Sequence, residues 1–159
     1  MAEVYHQIKR KAEDAFSVVI SAHASTYNTS TTVFKGMSQT ELSTPRIEVI
    51  CERATPEVLT DIPTGNWFCE MRVSIVGHYA DKTRAERVLM ECEVFDVLMR
   101  DDLITLLNNA DVDDFHVYGG GEGAGEGWMP GPIETGMLGT GEIAESMSGT
   151  LYCRPSTAA

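Results

Sequence analysis

The sequence has no lysine or arginine between Arg100 and Arg154, a stretch of 53 residues. The same stretch holds ten Asp or Glu residues and eleven of the fourteen glycines. Affinity for nucleic acid or anionic lipid comes from clustered basic side chains, so this absence argues against sequence-independent binding to either. An acidic, glycine-rich segment repels phosphates and packs poorly by itself. It therefore suits an extended arm or a loop that lines a channel.

The charge of the chain is divided unevenly along its length. Residues 1–100 carry 11 basic and 14 acidic side chains, whereas residues 101–159 carry 1 and 10. The net charge is therefore −3 in the first part and −9 in the second, out of −12 for the chain. The basic cluster from Lys9 to Lys11 lies in a predicted helix, where adjacent charges are typical of a solvated face.

The chain also lacks any apolar run close to the ~18 residues of a membrane span, and its N-terminus is too polar for a signal peptide. We therefore expect a soluble protein that has no membrane partner and is made in the cytoplasm. Its 159 residues fit a single domain over 1–159. A domain of that size buries roughly two thirds of the surface of its unfolded chain.

No motif predicts a catalytic residue, a metal site or a cofactor. The four histidines lack metal-ligand spacing, and no serine lies in a nucleophile elbow. The four cysteines form no C-x-x-C pair and lie at inward positions of predicted elements, which favours buried thiols over the alternatives of disulfides or a metal site. They are Cys51, Cys69, Cys92 and Cys153.

The glycine-rich segment does not match a nucleotide or calcium motif either. Residues 119–127 never satisfy G-x-G-x-x-G, and no lysine follows to complete a phosphate-binding loop. A calcium loop that began at Asn109 would need glycine where Asp114 stands and a bidentate glutamate where Gly120 stands. The sequence thus gives no support for an EF-hand.

The spacing of apolar residues predicts an α+β fold. A helix is expected over 3–24, and a polar stretch, 25–44, precedes Pro45. The remaining elements are strands over 46–54, 67–79, 114–118 and 143–153, a turn region over 56–65, and two helices. One helix spans 83–99 with Phe95 and Met99 in its buried stripe, and the other is short and follows Asp102, its expected cap. These elements predict an antiparallel or mixed sheet of about four strands with helices on one face. A long acidic, glycine-rich loop is expected at about 119–142.

Two groups of residues in this region are candidate functional residues. The large apolar side chains Trp128, Met129, Met137 and Leu138 have no core of their own in a glycine-rich loop, and aromatic and Met side chains are favoured in interfaces. We expect them to dock on a partner, with folding back onto the domain or simple exposure as alternatives. Asp111, Asp113 and Asp114 lie beside a predicted strand end. They lie in the lining of a channel on one interpretation and in a solvated loop on the outer surface on the other.

The order of these elements resembles that of the tail terminator, or tail-completion, proteins of long-tailed bacteriophages. The elements that carry the resemblance are the leading helix, the Pro45-led strand, the long strand from Trp67 to Tyr79, the helix that starts at Thr83 and two strands around a long loop. The resemblance implies a hexameric ring in the virion neck. Such a ring ends polymerisation of the tail tube, joins the head connector or closure protein, and lets DNA pass without specific binding.

Two alternatives stay open at this point. The first is another neck or tube component, such as a head-closure or adaptor protein. The second, from a different class, is a small enzyme or cation-binding domain that uses the acidic segment to hold a divalent ion.

Overall fold

The structure, a computed structural model, describes residues 2–24, 32–35, 46–58, 67–79, 95–110, 112, 116–117, 127–137 and 143–154. Residues 95–98 are helical. The other elements in these residues are, in chain order, α1 (Ala2–Ala24), β1 (Thr32–Lys35), β2 (Arg46–Val58), β3 (Trp67–Tyr79), α2 (Leu103–Asn108), β4 (His116–Val117), β5 (Met129–Met137) and β6 (Ile143–Arg154).

The six strands form one mixed sheet with the order β1-β2-β3-β6. The far edge of β6 is shared by β5, which lies beside residues 143–150, and β4, which lies beside residues 153–154. Strand β1 is parallel to β2, and every other pair is antiparallel. The predicted α+β class is thus confirmed, with six strands in the described residues and not four.

The core lies between α1 and one face of the sheet. The apolar face of α1 is buried as its spacing predicts, and the strand residues that meet it alternate along β2, β3 and β6. Among the least exposed residues of this core are Ile8, Ala12, Ala15, Phe16, Ile20, Ile47, Val49, Met71, Val73, Ile75, Met147 and Leu151. Cys51 and Cys153 are buried, as expected, whereas the side chains of Cys69 and Cys92 lie outside the described residues.

Two strand predictions were incomplete. Strand β1 lies inside the stretch interpreted as polar loop, because its four residues pair with a strand that is distant in sequence. Strand β2 continues to Val58, beyond Pro56, which was predicted to begin a turn. In the described residues β1 pairs with β2 only as far as Val49, so that edge of β2 has no partner strand beyond this residue. Proline, which has no N–H to donate, fits such an unpaired edge.

At the end of the helix before Arg100, the structure corrects the prediction of which residues are buried. Phe95 is buried as expected, but Met99 is 59% exposed, and Val97 and Leu98 are buried instead. The reason is that the helical segment ends at residue 98, so helical spacing no longer places Met99 on the inner face.

Asp102 does not cap α2 through its side chain, contrary to expectation. Its carboxylate instead accepts hydrogen bonds from Nε and Nη2 of Arg100, both at 2.8 Å. This hydrogen-bonded pair lowers the pKa of Asp102 and raises that of Arg100. Both side chains are about half exposed to solvent, so the pair is screened and anchors no part of the core.

A bulge in β2 is hydrogen-bonded to a carboxylate of α1. The register of β2 against β3 shifts between Cys51 and Arg53. At this bulge the backbone N–H of Cys51 donates a hydrogen bond of 2.9 Å to the Glu13 carboxylate of α1. The contact holds the helix in position over the sheet.

Replacing Glu13 by alanine should therefore lower the free energy of unfolding by about 1.5 kcal/mol, the lower end for a hydrogen bond to a charged group. Glu13→Gln keeps a carbonyl oxygen at the same place and should cost less. Urea denaturation of both variants measures the difference. Equal, near-zero effects would mean that the bond contributes nothing to stability.

Candidate interaction surface

Strand β5 corrects the prediction that residues 119–142 form one loop. Its residues 129–137 pair with β6, while residues 119–126 and 138–142 lie outside the described part of the chain. The register shifts between Pro130 and Ile133, so an extra residue is accommodated opposite Ser148. A Cβ atom on Gly131 would lie 2.6 Å from the Ser148 carbonyl oxygen. This bulge therefore requires glycine at position 131.

Trp128 folds back onto the domain, which was one of the three alternatives for the large apolar residues. Gly127 before it has a φ of 82°, a left-handed conformation that favours glycine. The Trp128 ring packs on Phe16 of α1, with ring centroids 5.3 Å apart and planes inclined by 54°. Such tilted aromatic pairs are favourable beyond the area they bury.

Gly149 on β6 leaves the space that the Trp128 ring occupies. A Cβ atom there would lie 2.4 Å from Cη2 of Trp128 and 2.9 Å from the carbonyl oxygen of Met129. The Nε1–H of Trp128 is buried, and no acceptor for it lies among the described residues. The ring is thus held by packing against the helix and the sheet.

The other predicted interface residues differ in position. Met129 is 39% exposed at the start of β5, and Ile133, which the sequence did not single out, is 47% exposed. Met137 ends the strand, and Leu138 lies outside the described residues. Exposed apolar side chains on an outer strand are candidates for contact with another chain. The signal available in the sequence was the strand-like run from Ile133 to Met137, which the neighbouring Gly and Pro residues obscure.

The sheet face that α1 does not cover carries paired charges and hydroxyl groups. Arg72 donates to Glu52 at 2.9 Å, and Tyr152 donates to Glu70 at 3.2 Å. The hydroxyl groups of Ser74 and Ser148 are 3.0 Å apart. In the described part of the chain, neither serine hydrogen-bonds to a histidine or carboxylate that would act as a base. The described residues of this face can make polar contacts and include no activated nucleophile of that kind.

The three candidate lumen residues Asp111, Asp113 and Asp114 lie outside the described residues. Within the described ranges, no group of three or more His, Cys, Asp or Glu side chains is arranged to hold a metal ion. Within the same ranges, none of the helices is long and apolar enough to cross a membrane.

In comparisons with known proteins, the chain matches no family model and no curated protein. The resemblance to tail terminators therefore remains a prediction from the order of elements.

Proposed function

We propose that the protein is a structural subunit of the neck of a long-tailed bacteriophage, where it forms a hexameric ring. The ring ends polymerisation of the tail tube and joins the tail to the head connector or closure protein. The protein is not an enzyme, needs no cofactor and resides in the virion after assembly in the host cytoplasm. DNA passes through the ring without specific binding.

The observation that carries this proposal is the order of elements around a mixed sheet with helices on one face. The order that suggested tail terminators is a leading helix, two long strands, a helical segment and two further strands around a glycine-rich stretch. The fold alone does not define a function, since one fold hosts many activities. The charge distribution adds a second, independent argument.

The acidic excess of residues 101–159 suits a passage for DNA. A negative wall lets phosphates pass without binding, whereas lysine and arginine would release counterions and retain the DNA. On this proposal Asp111, Asp113 and Asp114 face the lumen. The exposed apolar residues Met129 and Ile133 then serve contacts between subunits or with neck partners.

Replacing all three aspartates by lysine tests the lumen assignment. The change adds +6 per subunit, and phosphates within a Debye length of about 8 Å would be attracted where they were repelled. We expect assembled particles with slow DNA ejection, and salt-sensitive DNA binding by the purified ring. The triple Asp→Asn variant removes repulsion without adding attraction and should show a smaller effect.

Two measurements together locate these residues. Unchanged ejection with new DNA binding would place the three aspartates on the outer surface of the ring. If neither DNA ejection nor DNA binding changed, the lumen assignment would be wrong.

The proposal competes with a different neck component and with a cation-binding or enzymatic domain. Co-purification separates the neck components, since a terminator binds both the tube protein and the connector side. Calorimetric titration with calcium or magnesium separates the last class. Saturable binding that is lost when Asp111, Asp113 and Asp114 are changed to asparagine would favour it over the structural proposal.

A further inference from the structure

The sheet has two outer strands that run in opposite directions. Within the described residues β1 pairs only with β2, and β5 pairs with β6 alone. Strands β1, β2 and β6 point one way, and β3 and β5 point the other way. Suppose that copies of this chain are related by rotation about an axis parallel to the strands. Then β5 of one copy lies antiparallel to β1 of the next copy. The helix-covered faces then stay on the same side of the joined sheets.

A groove accompanies β1 on the helix-covered face. Its volume is about 710 Å³, and its walls come from α1, β1, Ala110 and Val112. Val18 on the α1 side is 48% exposed, and Val33 of β1 lies at the floor against the core. The Ser17 hydroxyl is buried in the groove wall without a hydrogen-bond partner among the described residues. An apolar floor beside an outer strand and an unsatisfied hydroxyl suit an extended peptide as occupant.

Strand β5 has the features of that occupant. Ile133 pairs with buried Met147, so its side chain is on the helix-covered face of the sheet, and it is nevertheless 47% exposed. The bulge with Pro130 and Pro132 prevents regular pairing along the first half of the strand. Residues 133–137 contain no proline and are long enough to pair with all four residues of β1.

We propose that residues 133–137 of one copy pair with β1 of a second copy and place Ile133 in the groove against Val18 and Val33. The charges are complementary, because the groove is lined by Lys11 and Lys35 against the single carboxylate of Asp14, and residues 133–137 carry Glu134 and no basic side chain. The contact is heterologous, since different surfaces meet, and repeating it gives a ring when the rotation from one copy to the next closes. This inference rests on the proposed ring and names its subunit contact.

Sedimentation and native mass spectrometry of the purified full-length chain test the contact. Ile133→Arg should weaken self-association at least about 30-fold, the effect of removing a central interface side chain. Ile133→Leu is the matched control, because it keeps an apolar side chain of the same size at the same position. It should leave association unchanged, and circular dichroism checks that both variants fold.

Cross-linking provides a second readout that does not depend on one variant. Subunits with Val18→Cys are mixed with differently tagged subunits with Ile133→Cys and treated with a bifunctional thiol reagent. We expect links between the two tags and few within either set. Links within one set alone would indicate a symmetric dimer contact and overturn the pairing.

The same data distinguish failure of this pairing from failure of the ring. A ring that keeps its mass with Ile133→Arg and shows no link between residues 18 and 133 would contradict the pairing only. A chain that remains monomeric throughout, including with its neck partners, would contradict both the pairing and the ring.

Discussion

Replacing Phe16 by alanine is expected to lower the free energy of unfolding by about 3–5 kcal/mol. Phe16 is fully buried on α1 and contacts the Trp128 ring at a centroid distance of 5.3 Å. Truncation removes its buried area and leaves a cavity that the sheet cannot fill without moving. Urea denaturation followed by circular dichroism measures the loss.

Phe16→Leu is the matched control for this prediction. It keeps most of the apolar volume and should cost less than about 1.5 kcal/mol. If Phe16→Ala changed stability by less than about 0.5 kcal/mol, the range of surface substitutions, Phe16 would not belong to the core. The placement of α1 on the sheet would then be wrong.

Replacing Trp128 by alanine should cost about 3 kcal/mol, the lower end for a tryptophan because the residue is only partly buried. The loss reflects the packing of the ring on Phe16 and over Gly149. If Trp128 instead served only a partner, the isolated protein would keep its stability and only assembly would suffer. Denaturation of the purified variant separates these outcomes.

A second substitution makes this test specific to the contact with Gly149. Gly149→Ala should destabilise the native protein by about 1–3 kcal/mol, because its methyl group overlaps the ring. In the Trp128→Ala background the same change should cost much less, although the Met129 carbonyl oxygen still limits the space. Additive effects of the two changes would show that the ring does not lie over Gly149.

The sequence predicted the elements whose pattern is local. Helix α1 has an unbroken helical period, and β3 alternates over 13 residues. Each of these elements therefore carries enough repeats to define its phase. Phe95 was placed correctly for the same reason, whereas Met99 lies beyond the end of the helical segment, where the period no longer applies.

Strands β1 and β5 were missed because each is defined by its pairing with a neighbouring strand and has no clear pattern of its own. Strand β1 has four residues in a stretch rich in serine and threonine, and it is defined by its parallel pairing with β2. Strand β5 contains two prolines and two glycines, which oppose strand formation by propensity. Its place at the outer edge of β6 tolerates them, because an outer strand needs only half of its backbone groups paired.

The position of Trp128 could not be predicted for a related reason. The ring is accommodated by a missing side chain at Gly149, which lies 21 residues further along the chain. No local pattern connects the two positions. The charge partition, by contrast, was evident from composition and is the basis of the lumen proposal.

The most direct test of the central claim is the assembly state of the purified full-length chain, alone and with the tail tube protein, by native mass spectrometry and negative-stain imaging. The account predicts a closed ring with six copies of this chain that caps tube ends and stops their growth. A monomer or a two-fold dimer that leaves tube growth unchanged would contradict it.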